Sequence, residues 1–311
     1  MFQLKLVVGT RGSPLALWQT EHVVEQMRAT RPHLDVELKT IKTQGDLVRD
    51  RALSQVGGKG LFVKEIENAL LAGEIDLAVH SLKDMPTKQP EGLALGAILE
   101  RADPRDALVV ADGMGSLAAL PQGARVGTSS LRRRAQLLAA RPDLQVADLR
   151  GNVDTRLRKL RAGEYDAVML AAAGLVRLGH ADAIGQYLPV DLILPAVGQG
   201  ALCVEVRADD EATQTLIAPL DHAPTRQATE AERTFLHRFG GGCQVPVGAY
   251  AEVSDGELRL LGLVASLDGT LLVRDEIRGP ATVAVRLGTE LAERVLAAGG
   301  ESILEALRYG S

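Results

Sequence analysis

The sequence predicts an α/β protein made of two successive α/β lobes and a smaller α+β domain, and three observations predict it. Short apolar segments alternate with amphipathic helical ones through the first two-thirds of the chain, the signature of strand–helix units on mostly parallel sheets. The alternation restarts after Pro104. Beyond residue 240 it gives way to three strand-like runs joined by short turns, which implies an antiparallel sheet.

In order, Lys5–Val8 reads as a strand and Ser13–Thr30 as a helix, with Ser13 at the N-cap and Pro14 in the first turn. Asp35–Ile41 alternates like a strand, Phe62–Ala72 is helical, and Ile75–Val79 and Leu93–Ile98 are strands. In the second lobe the strands are Ala107–Ala111, Arg125–Gly127, Gln145–Leu149 and Ala167–Leu170. Helices at Ser130–Ala140, Val153–Ala162 and Ala172–Leu178 separate them. A polar helix, Arg226–Phe239, leads into Gly240-Gly241-Gly242-Cys243, then strands near 247–253, 257–265 and 271–277, and two final helices. Pro, Gly and charge cluster near 100–104 and 195–222, placing the domains at 1–100, 104–195 and 222–311.

Composition excludes several classes. The 311 residues carry a formal net charge of −5, so no overall positive field recruits nucleic acid or an anionic membrane. No apolar run approaches the roughly 18 residues of a transmembrane helix. The N-terminus reads as a first strand rather than an export signal, so a cytoplasmic protein is expected. Two cysteines, Cys203 and Cys243, make neither a disulfide framework nor a cysteine zinc site, and the six histidines show no ligand spacing, so no metal is expected.

Charge is distributed unevenly. Of the basic residues 27 are Arg and 8 are Lys, and residues 125–161 carry a net +7. A codon bias or a solvated helix face would account for part of this, but planar bidentate donors concentrated in one segment suit carboxylate or phosphate ligands.

Two segments share one design. Gly9-Thr10-Arg11-Gly12-Ser13 and Gly127-Thr128-Ser129-Ser130 each run from a strand through small hydroxyl residues into a helix start, with Arg11 inside the first and Arg132-Arg133-Arg134 following the second. Free backbone N–H groups and the positive helix end make such a turn an anion site. Either turn alone is an ordinary N-cap. Two of them, each with adjacent Arg and in successive lobes, favour a cleft gripping an anionic ligand. Leu149-Arg150-Gly151-Asn152 repeats the arrangement and brings Arg156 near a helix N-terminus, while Arg158 and Arg161 belong on a solvated face.

Three further motifs stand out. Gly57-Gly58-Lys59-Gly60 lacks the Walker spacing and fits a flap over a cleft better than a nucleotide loop. His80-Ser81-Leu82-Lys83-Asp84 follows a strand, where open α/β sheets bind ligands, and Asp84 is a candidate for cation stabilisation or proton handling. Cys243 follows three glycines, which places its thiol for reaction, whereas Cys203 lies in the apolar strand Ala201–Val206.

Together these segments closely resemble the porphobilinogen deaminase (hydroxymethylbilane synthase) family. The matching stretches are GTRGSPLALWQ (9–19), VGGKGLFVKEIE (56–67), DLAVHSLKDMPT (76–87), VGTSSLRRRAQL (126–137), LRGNVDTRLRKL (149–160), LPAVGQGALCVEVR (194–207) and GGGCQVPVGAYA (240–251). The resemblance implies a transferase of tetrapyrrole biosynthesis that joins four porphobilinogen molecules head to tail into hydroxymethylbilane, releasing ammonia from each. It also implies two periplasmic-binding-protein-like lobes, with about 201–218 returning to the first, a C-terminal domain with a three-stranded antiparallel sheet, and a monomer.

Carried over by motif, Cys243 would hold a dipyrromethane cofactor by a thioether. Asp46, Ser81, Lys83, Thr128, Ser129, Ser130, Arg132, Arg133, Arg150 and Gly151 would bind that cofactor. Arg11, Ser13, Gln19, Lys59, Phe62, Arg150, Arg156, Arg177 and Gln199 would contact substrate, and Asp84 would be catalytic. Many members have Lys where this chain has Gln55, which removes one contact from the flap. The competing reading is a non-catalytic, two-lobed anion-binding module that has no need of Cys243.

Overall fold

The computed structural model describes residues 5–47, 63–111, 115–240 and 245–309. The chain divides into two compact units, Met1–Ala102 with Ala201–Arg226, and Asp103–Gly200 with Gln227–Ser311. It opens with β1 (Lys5–Thr10), α1 (Pro14–Thr30), β2 (Asp35–Thr40), α2 (Gln44–Leu47), α3 (Lys64–Leu71), β3 (Leu77–Ser81) and β4 (Leu93–Ile98). The second unit takes β5 (Asp106–Val110), β6 (Arg125–Gly127), α4 (Leu131–Ala140), β7 (Gln145–Ala147), α5 (Val153–Arg161), β8 (Ala167–Ala171), α6 (Ala172–Arg177) and β9 (Gln186–Leu188). The chain then returns to the first unit with β10 (Leu202–Arg207) and α7 (Glu211–Ile217). It ends with α8 (Ala223–Arg238), β11 (Val247–Ser254), β12 (Glu257–Ala265), β13 (Leu272–Pro280), α9 (Ala284–Val295) and α10 (Glu301–Tyr309).

Two five-stranded sheets share one plan, β2-β1-β3-β10-β4 and β7-β6-β8-β5-β9. The expected parallel character holds for four strand directions in each. The fourth strand in each order, β10 or β5, runs antiparallel to both neighbours. Both are strands by which the chain enters a sheet from the other unit, and their direction follows from that entry. Three-residue β9 was not among the strands expected from the sequence.

Strand β3 lies two residues later than its apolar run suggests, because His80 and Ser81 pair with Cys203 and Leu202. His80 is therefore a buried strand residue and not part of a polar loop. One face of the first sheet packs Val8, Leu77 and Val204 against Val23 and Met27 of α1, with Ile217 of α7 in the same core. The other face lies under α3, with Ile66, Leu70, Ile75 and Ala78 in contact.

In the second unit, β11-β12-β13 form the third sheet, whose core gathers Phe235 of α8, Val264 and Leu291 of α9. This sheet also packs on α4: Ala135 meets Leu194, Leu261 and Leu263. The approach is closest at the β12–β13 turn. A Cβ on Gly269 would lie 2.4 Å from the Ala135 carbonyl oxygen and 2.5 Å from the Ala139 nitrogen. Gly269 also has φ +73°, whereas Gly256 at the preceding turn has φ +78° and open space around it. Gly269→Ala should therefore lower unfolding free energy by about 2–4 kcal/mol, combining strain with overpacking. Gly256→Ala should cost only about 1–2 kcal/mol. Chemical denaturation of both variants measures the difference, and equal losses would refute the tight packing on α4.

Candidate active site

In the first unit, the β1–α1 turn is held by hydrogen bonds of its own. Ser13 caps α1, its Oγ accepting the Ala16 N–H at 3.2 Å. Beneath the turn, Thr20 Oγ1 donates to Thr10 Oγ1 at 2.7 Å and Thr10 Oγ1 in turn reaches the Arg11 and Ala16 carbonyls, each at 3.3 Å. Buried Gln19 on α1 is joined side chain to side chain with Ser81, amide nitrogen to Oγ at 2.9 Å. These bonds tie the turn to the end of β3.

There the chain makes a single 3₁₀ turn, Leu82–Asp84. Leu82 and Met85 are buried with Cys203 and Ile98, which leaves Lys83 half-buried and Asp84 exposed. Among the described residues Asp84 has no hydrogen-bond or ion-pair partner. Arg11, Ser13, Gln19, His80, Ser81 and Asp84 line a small open pocket of about 50 Å³.

The second unit contains two turns of the same kind. In the first, Ser130 caps α4, its Oγ accepting from the Arg133 N–H at 3.4 Å, and Thr128 Oγ1 accepts from the Ser130 N–H at 3.2 Å. In the second, Asn152 caps α5, its Oδ1 accepting from the Thr155 N–H at 2.9 Å. Ser129 joins the two turns, its Oγ donating to the Leu149 carbonyl at 2.9 Å and accepting the Leu149 N–H at 3.1 Å. Gly151 has φ +111°, and a Cβ there would strike the Thr155 side chain at 2.5 Å. Arg156 donates from Nε to the Gly151 carbonyl at 2.8 Å.

Arg150 is half-buried with no partner among the described residues. Arg177, at the end of α6, donates to the Gly200 carbonyl at 2.7 Å, and burial pushes its guanidinium down to about 10. Arg158 and Arg161 are exposed, as expected of a solvated face.

Arg132 and Arg133 turn into the lobe and meet Asp106, the fully buried first residue of β5. Arg132 Nη1 lies 2.7 Å from Oδ2, and Arg133 donates to Oδ1 from Nε at 3.0 Å and from Nη2 at 2.7 Å. Gln199, which the family motif put in contact with substrate, is 1% exposed. Its amide donates to Asp106 Oδ1 at 2.9 Å and to the Pro104 carbonyl at 2.7 Å. Burial raises the Asp106 carboxyl, but the charges and hydrogen bonds of the two arginines overcome this and hold it well below the usual carboxylate range.

The sequence reading passed over Asp106, Glu205 and Glu67. The available signal was a lone acid within an apolar strand or helix face, at Asp106 in Asp106–Val110 and at Glu205 in Leu202–Arg207. Lys59, Phe62 and Cys243 lie outside the described residues, as does the side chain of Asp46 in α2. The Cys243 segment is bracketed by Gly240, whose N–H donates to the His237 carbonyl, and by Val245, which packs on the third sheet's core. Buried Glu232 on α8 accepts the Gly198 and Ala251 N–H groups, both at 2.7 Å, which fixes the helix leading into that segment.

Removing the Asp106 carboxylate would strand two buried guanidiniums. Asp106→Ala should cost about 3–5 kcal/mol of unfolding free energy. Because the folded-state carboxyl is depressed, its contribution in the wild type is present above the usual carboxylate range and disappears as pH falls below it. Denaturant titrations of wild type and variant near neutral pH and in acid measure both effects. A loss below about 1 kcal/mol would refute the compensated-charge account.

Two family models cover the chain. Residues 6–215 match the model described as porphobilinogen deaminase, dipyromethane cofactor binding domain, and residues 227–297 match the porphobilinogen deaminase C-terminal domain. A porphobilinogen deaminase from Geobacter metallireducens is 57% identical over 300 residues, covering 96% of this chain and 94% of the relative. One from Brevibacillus brevis is 55% identical over 306 residues, covering 98% of each. Among solved structures, the L-cystine solute receptor of Neisseria gonorrhoeae aligns over 70% of this chain and 85% of its own at 15% identity, with a TM-score of 0.41.

Proposed function

The chain belongs to the porphobilinogen deaminase family, and on that premise we propose how its residues join four porphobilinogen molecules head to tail into hydroxymethylbilane, with one ammonia released at each addition. The family's dipyrromethane, when bound, supplies a covalently anchored pyrrole chain end from which the product grows. Each pyrrole carries an acetate and a propionate, so the residues must supply paired donors for many carboxylates.

The donor set of the second unit fits that need. Thr128, Ser129, Ser130 and Gly151 form two capped turns at helix N-termini, and Arg150 has no partner among the described residues. Arg177 is a desolvated cation that an incoming carboxylate would stabilise. Arg132 and Arg133 would bind with the N–H groups left over from Asp106, while Gln199 would act through that same carboxylate. Arg156 would reach carboxylates from the α5 N-terminus. Cys243 would anchor the cofactor, with Ser81, Lys83 and Asp46 as further contacts.

The observation that carries the catalytic reading is Asp84, an exposed carboxylate at the rim of the Arg11–Ser13 pocket with no partner among the described residues. Loss of ammonia from porphobilinogen develops positive charge on the substrate's ring and methylene carbon. A fixed carboxylate stabilises that charge and accepts a hydrogen bond from the pyrrole N–H. Arg11, Ser13 and Gln19 would hold the substrate side chains there, with Lys59 and Phe62 covering them. We also propose a cytoplasmic monomer with functional domains at 1–100 plus 201–218, 104–195 and 222–311, following the family and the three separate sheets.

Two experiments test this reading. Asp84→Ala should lower porphobilinogen turnover at least about 100-fold with cofactor content unchanged, and a near-normal rate would remove Asp84 from catalysis. Intact mass under denaturing conditions should show wild-type protein heavier than its polypeptide by two linked pyrrole units. Cys243→Ser should have the bare mass, and an adduct persisting on it would place the attachment elsewhere.

A further inference from the structure

Beneath α3, one face of the first sheet carries three ionisable side chains that the chemistry above does not use. Glu205 on β10 is fully buried, His80 on β3 is 5% exposed and Glu67 on α3 is 7% exposed. The strand register pairs Cys203 with His80, so Glu205, two residues on, shares their face of the sheet. His80 Nε2 lies 3.2 Å from Glu205 Oε2. Yet that nitrogen, both Glu205 oxygens and Glu67 Oε1 are buried with no aligned hydrogen-bond partner. Leaving so many polar atoms unsatisfied is costly, and leaving two carboxylates ionised beside one imidazole costs more.

The surrounding charges offer little relief. On α3, Lys64 is exposed and Glu65 adds a further acid. On β10, Arg207 is committed to the Leu70 and Ile75 carbonyls and to Asp76 and Asp210. On β1, Lys5 is paired with Glu37, and β4 (Leu93–Ile98) has no ionisable residue. The remaining economical state is a protonated one.

We propose that Glu67 and Glu205 hold one proton between them and thereby act as positioning residues for the pocket, fixing α3 and His80 without touching substrate. With the proton on Glu67, one of the two buried carboxyls is neutral and Glu205 keeps its charge against His80. His80 lines the pocket and opens the segment that reaches Asp84, and Val63, at the start of α3, lines the same pocket. Burial, then the charge of Glu205, push the Glu67 carboxyl up to about 7. The folded protein therefore binds more protons than the unfolded chain from the usual carboxylate range up to about 7, and stability falls as pH rises through that window. The positioning role rests on the deaminase reading above; the shared proton does not.

The test compares cofactor-loaded wild type with Glu67→Gln, whose amide matches the neutral carboxyl in size but does not titrate. Thermal midpoints are followed from about pH 5 to about pH 8.5, together with the pH profile of porphobilinogen consumption. The wild-type midpoint should fall with pH, and Glu67→Gln should remove at least about half of that slope. The alkaline limb of the rate profile should move upward in the same variant. Equal slopes in the two proteins would overturn the shared proton. A flattened slope with an unchanged rate profile would overturn the positioning role and leave the cluster purely structural. Should Glu67→Gln fail to fold, Glu205→Gln removes the charge that holds the proton, and an unchanged slope there overturns the proposal equally. If wild type consumes no porphobilinogen, the deaminase reading and the positioning role both fall, while the melting curves still decide the proton.

Discussion

A fully buried carboxylate must be matched by cations, and the second unit is arranged around Asp106. The residue opens β5, and its oxygens are taken by Arg132, Arg133 and Gln199. Arg132 and Arg133 lie in the first turn of α4, where the positive helix end disfavours cations. Asp106 removes that conflict by supplying the anion that the helix end and both guanidiniums require. Two guanidiniums against one carboxylate still leave an excess of one positive charge at the start of α4. Capping by Ser130 holds the backbone there in place, so the excess charge sits where an anionic ligand is already favoured.

The capped turns bear on how the proposed carboxylate-rich ligand would be held. Ser13, Ser130 and Asn152 each accept from the N–H three residues on. Each cap satisfies one orphan donor and fixes the turn, leaving the adjacent N–H groups and hydroxyls for the ligand. Thr10, Ser129 and Gln19 then tie the turns to neighbouring strand ends. Backbone already fixed by such caps would lower the ordering cost of binding.

Much of this was legible in the sequence. Apart from β9, the element types in the three sheets followed from the pattern of apolar residues, and the caps at Ser13 and Ser130 from the run of strand, hydroxyl and helix. What sequence reasoning misplaced has a common cause, which is pairing between residues distant in sequence. His80 looked like a polar loop residue until its partner Cys203, more than a hundred residues away, extended β3 over it. Gln199 looked like a ligand contact, and only the fold reveals Asp106 against it. Arg132 and Arg133 were assigned to carboxylates of the cofactor, and the fold adds a carboxylate of the chain itself, Asp106, against both. Residue type identified the chemistry, whereas the partner that engages each group is a property of the fold.

The two five-stranded sheets place β5 and β10 at the same point in their orders, and each of these strands carries a fully buried carboxylate. Their neighbours differ in kind. Asp106 is matched by guanidiniums, which stay charged throughout the working pH range, so its environment is constant except in acid. Glu205 lies against the His80 imidazole and shares its face of the sheet with Glu67, whose carboxyl burial pushes up to about 7. One topology thus has two electrostatic solutions. The second unit holds its donors with permanent charge, as a site for a resident polyanion needs. The first unit carries the exposed Asp84, and its buried cluster makes packing under α3 dependent on a single proton.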